Sequence, residues 1–177
     1  MQRIVFEEPY EFIPPHRGTW WPSFIQAFEL YKRYLRNDGG IVDFECRHVE
    51  RLKASLAAGH GIMLTPNHAR PADPIVMGVL AKAAGTHVYA MASWHLFKQD
   101  WFSAFAIRRM GGFSLYREGM DRQSINTAIG MIETAERPLI VFPEGSVTRT
   151  NDRLHALLDG VSFIARTAAR RPRIRRW

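Results

Sequence analysis

Residues 67–73 read Asn-His-Ala-Arg-Pro-Ala-Asp and hold the pair of side chains best suited to chemistry. His68 and Asp73 are five positions apart, where an apolar run (Ile62-Met63-Leu64-Thr65) gives way to a helical pattern that starts near Asp73. A histidine just past a strand end, with a carboxylate at the next helix start, can act as a base with its orienting partner. Histidine is the side chain whose unperturbed pKa lies nearest physiological pH. A carboxylate on one ring nitrogen fixes the tautomer and leaves the other nitrogen to take a proton. Taken alone, the segment reads first as a turn in which Asp73 caps a helix and His68 is solvated. The rest of the chain changes that balance.

The elements around this turn alternate. Residues 1–18 carry Pro9, Pro14, Pro15 and Gly18 and read as an extended arm. A helix then opens at Pro22, a good first helical position, and runs to the Asn37-Asp38-Gly39-Gly40 stop. Phe24, Phe28, Tyr31 and Leu35 form its apolar face, and Trp20 and Trp21 stand at its entrance. This amphipathic helix suits either a membrane interface or ordinary packing on the core. Helical patterns follow over 44–58, 74–84, 94–109, a stretch capped by Asp121, and 152–169. Strands are expected at 61–65, 87–92, 113–116 and 139–142. Trp94, Phe97, Trp101 and Phe105 fall on one stripe of the 94–109 helix. Such alternation predicts an α/β layered fold, with a mostly parallel central sheet flanked by helices.

The 177 residues suffice for one domain with a substantial core, and 46% hydrophobic residues argue for a globular chain. Cys46, the single cysteine, excludes an intrachain disulfide and reads as structural. Net charge is +7, and six arginines within the basic tail 166–177 supply most of it. Such a tail suits anionic lipid or nucleic acid, or is simply solvated; no nucleic-acid fold signature favours the second partner. The start of the chain lacks a secretory signal, and no apolar run is long enough to span a bilayer. A soluble or membrane-surface protein is expected.

In open α/β sheets the residues just past the strand ends converge on one crevice. Three such ends carry unusual chemistry. The first is Asn67-His68, the second is Arg117 closing Gly111-Gly112-Phe113-Ser114-Leu115-Tyr116-Arg117, and the third is Phe142-Pro143-Glu144-Gly145-Ser146. Singly, Arg117 reads as a surface charge and Pro143-Glu144-Gly145 as a turn. Together and in this order, the three blocks resemble the glycerolipid acyltransferase family, which includes the glycerol-phosphate and lysophosphatidic acid acyltransferases. Its Asn-His-x4-Asp block is matched by Asn67, His68 and Asp73, and its Phe-Pro-Glu-Gly-Thr block is matched with Ser146 in place of threonine. The resemblance covers about residues 42–165.

With the arm and amphipathic helix read over 1–40, that resemblance implies an acyltransferase domain over 41–177. It implies transfer of an acyl group from acyl-CoA or acyl carrier protein, as co-substrate, to a hydroxyl of a (lyso)glycerolipid-type acceptor in phospholipid or related lipid synthesis. His68 would be the general base and Asp73 its orienting partner. Asn67, Arg117, Glu144, Gly145, Ser146 and Arg149 would bind substrate, with Glu144 meeting acceptor hydroxyls or organising Arg117. No metal or resident cofactor is called for, and the protein is expected in the cytoplasm, peripherally on an anionic membrane surface. Two departures stand out. The family's arginine almost directly after Glu-Gly-Thr has its nearest counterpart in Arg149, and the later lysine-bearing segment reads Leu157-Leu158-Asp159-Gly160. The family's fourth block, an apolar strand with prolines, is replaced by Arg170-Arg171-Pro172-Arg173-Ile174-Arg175-Arg176-Trp177, so the domain is expected to be incomplete at its C-terminal part.

Other classes remain beside this one. A serine hydrolase would use Ser146, although the pattern is not Gly-x-Ser-x-Gly. A zinc enzyme lacks a His-Glu-x-x-His spacing. A catalytically impaired membrane-surface lipid-binding module is the non-enzymatic alternative.

Overall fold

The computed structural model describes residues 8–171. Four strands, β1 (Met63–Leu64), β2 (Tyr89–Ser93), β3 (Gly112–Leu115) and β4 (Leu139–Ile140), form one sheet in the order β1-β4-β2-β3. Every pairing is parallel, with Leu64 opposite Ile140, Ala90 opposite Ile140 and Met91 opposite Phe113. Parallel strands are covered on both faces, which is why they read as apolar runs. The expected α/β layered fold with helices around a parallel sheet is the one observed.

Among the described residues, seven helices surround the sheet: α1 (Trp20–Ala27), α2 (Tyr31–Asn37), α3 (Val49–Ala57), α4 (Asp73–Ala84), α5 (Trp101–Arg109), α6 (Arg122–Thr134) and α7 (Asp159–Arg170). Tyr89, Phe113, Ile129, Leu139 and Ile164 bring β2, β3, β4, α6 and α7 into the main core. Burying each such side chain contributes about 1.5–3 kcal/mol. A second cluster joins Leu35 of α2 to Val79 of α4, with Cys46 packed against it. Local signals set several boundaries. Gly85 ends α4 at φ +74°. Asp121 caps α6 by accepting from the Ser124 amide. The arm runs beside β3, where the Ser114 amide donates to the Ile13 carbonyl and the Ile13 amide to the Ser114 hydroxyl.

Four expected elements are corrected. The single helix through Phe24, Phe28 and Leu35 is two helices, because Glu29 takes φ +52° and breaks the run. Glu29 pairs there with Lys32 and reaches Lys82 of α4 at 2.7 Å. The helix expected at 44–58 begins only at Val49, after His48 in the left-handed region. The helix expected at 94–109 divides into a 3-10 turn (Trp94–Lys98) and α5, because Asp100 accepts from the Ser103 amide and caps a new helix. Its aromatic stripe divides too, with Trp94 and Phe97 buried and Trp101 80% exposed. Residues 152–158 are not helical: the Leu158 amide donates to the Pro143 carbonyl at 2.8 Å, and α7 starts at Asp159. Arg173, Arg175 and Arg176 of the basic tail, and the end of the chain where the domain was expected to fall short, lie outside the described residues.

Candidate active site

The strand order lines the chemistry-bearing residues along one rim of the sheet. Asn67 and His68 follow β1, Glu144 to Ser146 follow β4, Ser93 closes β2 and Arg117 follows β3. β4 lies beside β1, so the first and third blocks meet although 76 positions separate His68 from Glu144. β3 lies three strand spacings from β1, which is about 14 Å at roughly 4.8 Å per spacing.

His68 is held from every side. Its Nδ1 lies 3.1 Å from Asp73 Oδ2. That oxygen also accepts from the Arg70 amide at 2.8 Å. α4 has no side-chain cap, so Asp73 is turned to the histidine and the preceding loop instead of its own helix amides. The imidazole stacks on Phe142, with centroids 4.0 Å apart and planes 22° from parallel. The His68 amide donates to Glu144 Oε1 at 3.0 Å. Its carbonyl accepts from the Thr148 amide at 2.8 Å and the Thr148 hydroxyl at 3.2 Å. A carboxylate only accepts, so the ring proton belongs on Nδ1 and the lone pair on Nε2. Nε2 makes no hydrogen bond among the described residues. An oriented imidazole with a bare nitrogen can take a proton from a hydroxyl.

Glu144 is 8% exposed, and its Oε2 is buried without a hydrogen-bond partner. Its Oε1 ties it to His68; it makes no hydrogen bond or ion pair with Arg117. Gly145 sits at φ +65°, and its amide donates to the Phe142 carbonyl. Ser146 is partly buried and makes no hydrogen bond to a histidine among the described residues. Arg117 and Arg149 are exposed and make no hydrogen bond to His68. Asn67 is exposed and lines a cleft of about 540 Å³ together with Met63, Pro143, Leu154, Leu157, Leu158 and Val161. The blocks from β1 and β4 are therefore brought together, and Arg117 stands apart at the far end of the rim.

A family model described as acyltransferase matches residues 43–174, well over half of the chain. The chain belongs to the acyltransferase family. The resemblance to glycerolipid acyltransferases read from the three blocks is thus supported by a match that spans all of them. No curated protein and no solved structure matches the chain. Two residues that hold His68 escaped the sequence reading. Phe142 reads as the first residue of the third block, with no role of its own, and Thr148 carries no signal, because its partner is the backbone of a residue 80 positions away.

No helix among the described residues is long and apolar enough to cross a membrane. Yet α1 and α5 share an exposed aromatic ridge. Trp21 meets Phe105 of α5 at 5.3 Å and stacks with Phe24, which meets Phe28 at 4.8 Å. Trp101 lies one turn along α5 from Phe105, beside an exposed Phe102. The Arg109 guanidinium lies over the Trp20 and Phe105 rings.

Proposed function

We propose that this acyltransferase moves a fatty acyl group from a thioester, acyl-CoA or acyl carrier protein, to a hydroxyl of a (lyso)glycerolipid-type acceptor. The observation that carries the reading is the His68–Asp73 bond, with His68 Nε2 left bare, inside the family match. The acceptor hydroxyl gives its proton to Nε2 as its oxygen attacks the thioester carbon, a step for which general bases supply typically 10²–10⁴-fold. Asp73 holds the ring and stabilises the imidazolium. Collapse of the tetrahedral intermediate breaks the carbon–sulfur bond, and the imidazolium returns its proton to the departing thiolate. The nucleophile is the acceptor's own oxygen, so no acyl-enzyme forms.

The oxyanion needs fixed donors. The Gly145 amide is already committed to Phe142, whereas the amides of Ser146 and Val147 make no hydrogen bond and are available. The cleft beside Asn67, walled by leucines and Val161, suits the acyl chain. Glu144 Oε2, buried and unpartnered, suits an acceptor hydroxyl. The aromatic ridge of α1 and α5, with Arg108 and Arg109 beside it, suits the interface of an anionic membrane from which a lipid acceptor is drawn.

The test is thiol release from acyl-CoA in the presence of lysolipid acceptors. His68→Ala is expected to lose at least a hundredfold of wild-type turnover while keeping its circular dichroism spectrum. Near-normal turnover in that variant would exclude the mechanism. Vesicle binding by the wild type without turnover on any acceptor would point to the lipid-binding module.

A further inference from the structure

The arm that precedes the family match reaches the rim of the sheet. Tyr10 lies outside the matched residues 43–174. Its hydroxyl donates to Asp121 Oδ2 at 2.5 Å and lies 3.1 Å from the Ser114 hydroxyl. With that proton committed to Asp121, the Tyr10 oxygen accepts from Ser114, which in turn accepts from the Ile13 amide at 2.8 Å. Asp121 Oδ2 also accepts from the Tyr116 amide at 3.0 Å, while Oδ1 caps α6. Ser114 and Asp121 are both buried. The Tyr10 ring stacks on Tyr116, with centroids 5.0 Å apart, and meets Trp94 edge-on at 5.5 Å. Trp94 follows β2 and Tyr116 follows β3, so one side chain of the arm joins the exits of two strands.

The fold has other means of docking the arm. Phe12 packs against Phe113, and Ile13 pairs with Ser114 in both directions, so the arm is held on β3 without Tyr10. Tyr10 adds a second donor on the oxygen that holds the Tyr116 amide, and a ring stacked on that same residue. The next residue is Arg117, exposed and without a hydrogen bond or ion pair among the described residues. With no bond of its own, Arg117 takes its direction from the main chain before it. Burial, and then the bond to Asp121, push the Tyr10 phenol above its ordinary pKa, so it stays a donor across the neutral range.

We propose that Tyr10 is a positioning residue: through Asp121 and the Tyr116 main chain it fixes the loop 116–121, and with it the direction of Arg117. The use of Arg117 in substrate binding rests on the acyl-transfer reading; its positioning by Tyr10 does not.

The test uses the full chain carrying Tyr10→Phe, which keeps the ring and removes the donor, then Arg117→Ala, then both. In Tyr10→Phe, hydrogen exchange at the Tyr116 amide is expected to quicken about tenfold, the weight of one hydrogen bond to a charged group. The side-chain nitrogen resonance of Arg117 is expected to move, with a melting temperature within about 5 °C of wild type. In turnover of acyl-CoA with lysolipid acceptors, Tyr10→Phe is expected to raise the same KM that Arg117→Ala raises, by about three- to tenfold, with kcat within about threefold. The double variant is expected to be no worse than Arg117→Ala, because both changes remove one contribution. Additive losses would reveal a structural role and overturn the proposal. So would unmoved Tyr116 exchange and Arg117 resonance, an Arg117→Ala variant with wild-type constants, or a Tyr10→Phe variant that fails to fold. Quickened exchange and a moved Arg117 resonance in a chain that turns over no acceptor would overturn acyl transfer and not the positioning.

Discussion

The amide of His68 donates to Glu144 Oε1 at 3.0 Å, so the backbone of the proposed base is fixed by a carboxylate that follows a different strand. The other oxygen of that carboxylate is buried and unpartnered. Such a group costs stability, and a natural chain retains it where function needs it. Glu144→Gln keeps an acceptor for the amide and removes the buried charge. It is expected to hold or raise the melting temperature while lowering kcat/KM for acyl transfer at least tenfold. A melting temperature several degrees lower with full activity would assign Glu144 to the fold alone.

Gly145 makes a second prediction. At φ +65°, a Cβ would lie 2.5 Å from Leu158 Cδ1, and Leu158 is part of the cleft wall. A non-glycine residue in this region costs about 1–2 kcal/mol. For a chain of this size Gly145→Ala should lower the melting temperature by about 2–8 °C. Displacement of Leu158 should also raise KM for long-chain acyl-CoA more than for short-chain acyl-CoA. Equal KM changes across chain lengths would separate this cleft from the acyl chain.

The ridge gives a third. Trp101 is 80% exposed, so its removal takes nothing from the core. Embedding one aromatic side chain in a membrane interface contributes about 1.5–3 kcal/mol by area. Trp101→Ala is therefore expected to weaken co-sedimentation with anionic vesicles at least tenfold, with an unchanged melting temperature. Unchanged sedimentation would remove α5 from the membrane-facing surface.

The break between α1 and α2 predicts an acid response. Hydrogen bonds from Lys32 and then Lys82 hold the Glu29 carboxyl down to about 2, against an ordinary value of 4.5. A pKa lower in the folded chain means that the unfolded chain takes up the proton first. The contribution of Glu29 is thus fully present above about pH 4.5 and lost as pH falls through about 2. Urea midpoints of the wild type and Glu29→Gln should differ by a constant amount near neutrality and converge across that acid range. A difference that does not change with pH would show that these ion pairs leave stability untouched.

Much of this was legible in the chain, for physical reasons that differ by residue. The strands could be read because both faces of a parallel sheet are buried, which makes runs such as Leu139-Ile140 apolar throughout. Asp121 and Gly85 marked helix ends because capping chemistry is local. The break at Glu29 was not legible, since a positive φ at a glutamate has no mark in the sequence and one of the lysines that pair with it lies on another helix 53 positions away. Asp100 was a local signal that the apolar stripe hid. In the site, His68 and Asp73 announced themselves by spacing. Thr148 did not, because it acts on the main chain of His68, and a carbonyl has no residue type.

The insertion of β4 between β1 and β2 also fixes when the site can exist. The partners of β4 on both sides are synthesised long before it, and they have no hydrogen-bonded neighbour in common without it. On the ribosome, His68 and Asp73 emerge early, but Glu144, Thr148 and the Phe142 ring that immobilise the imidazole arrive some 75 residues later. A contact of such sequence separation forms late, after the loop-closure entropy has been overcome. Completion of the sheet and fixing of the proposed base are therefore one event, and a nascent or locally opened chain that has lost β4 carries His68 with Asp73 but without the contacts that hold the ring in one orientation.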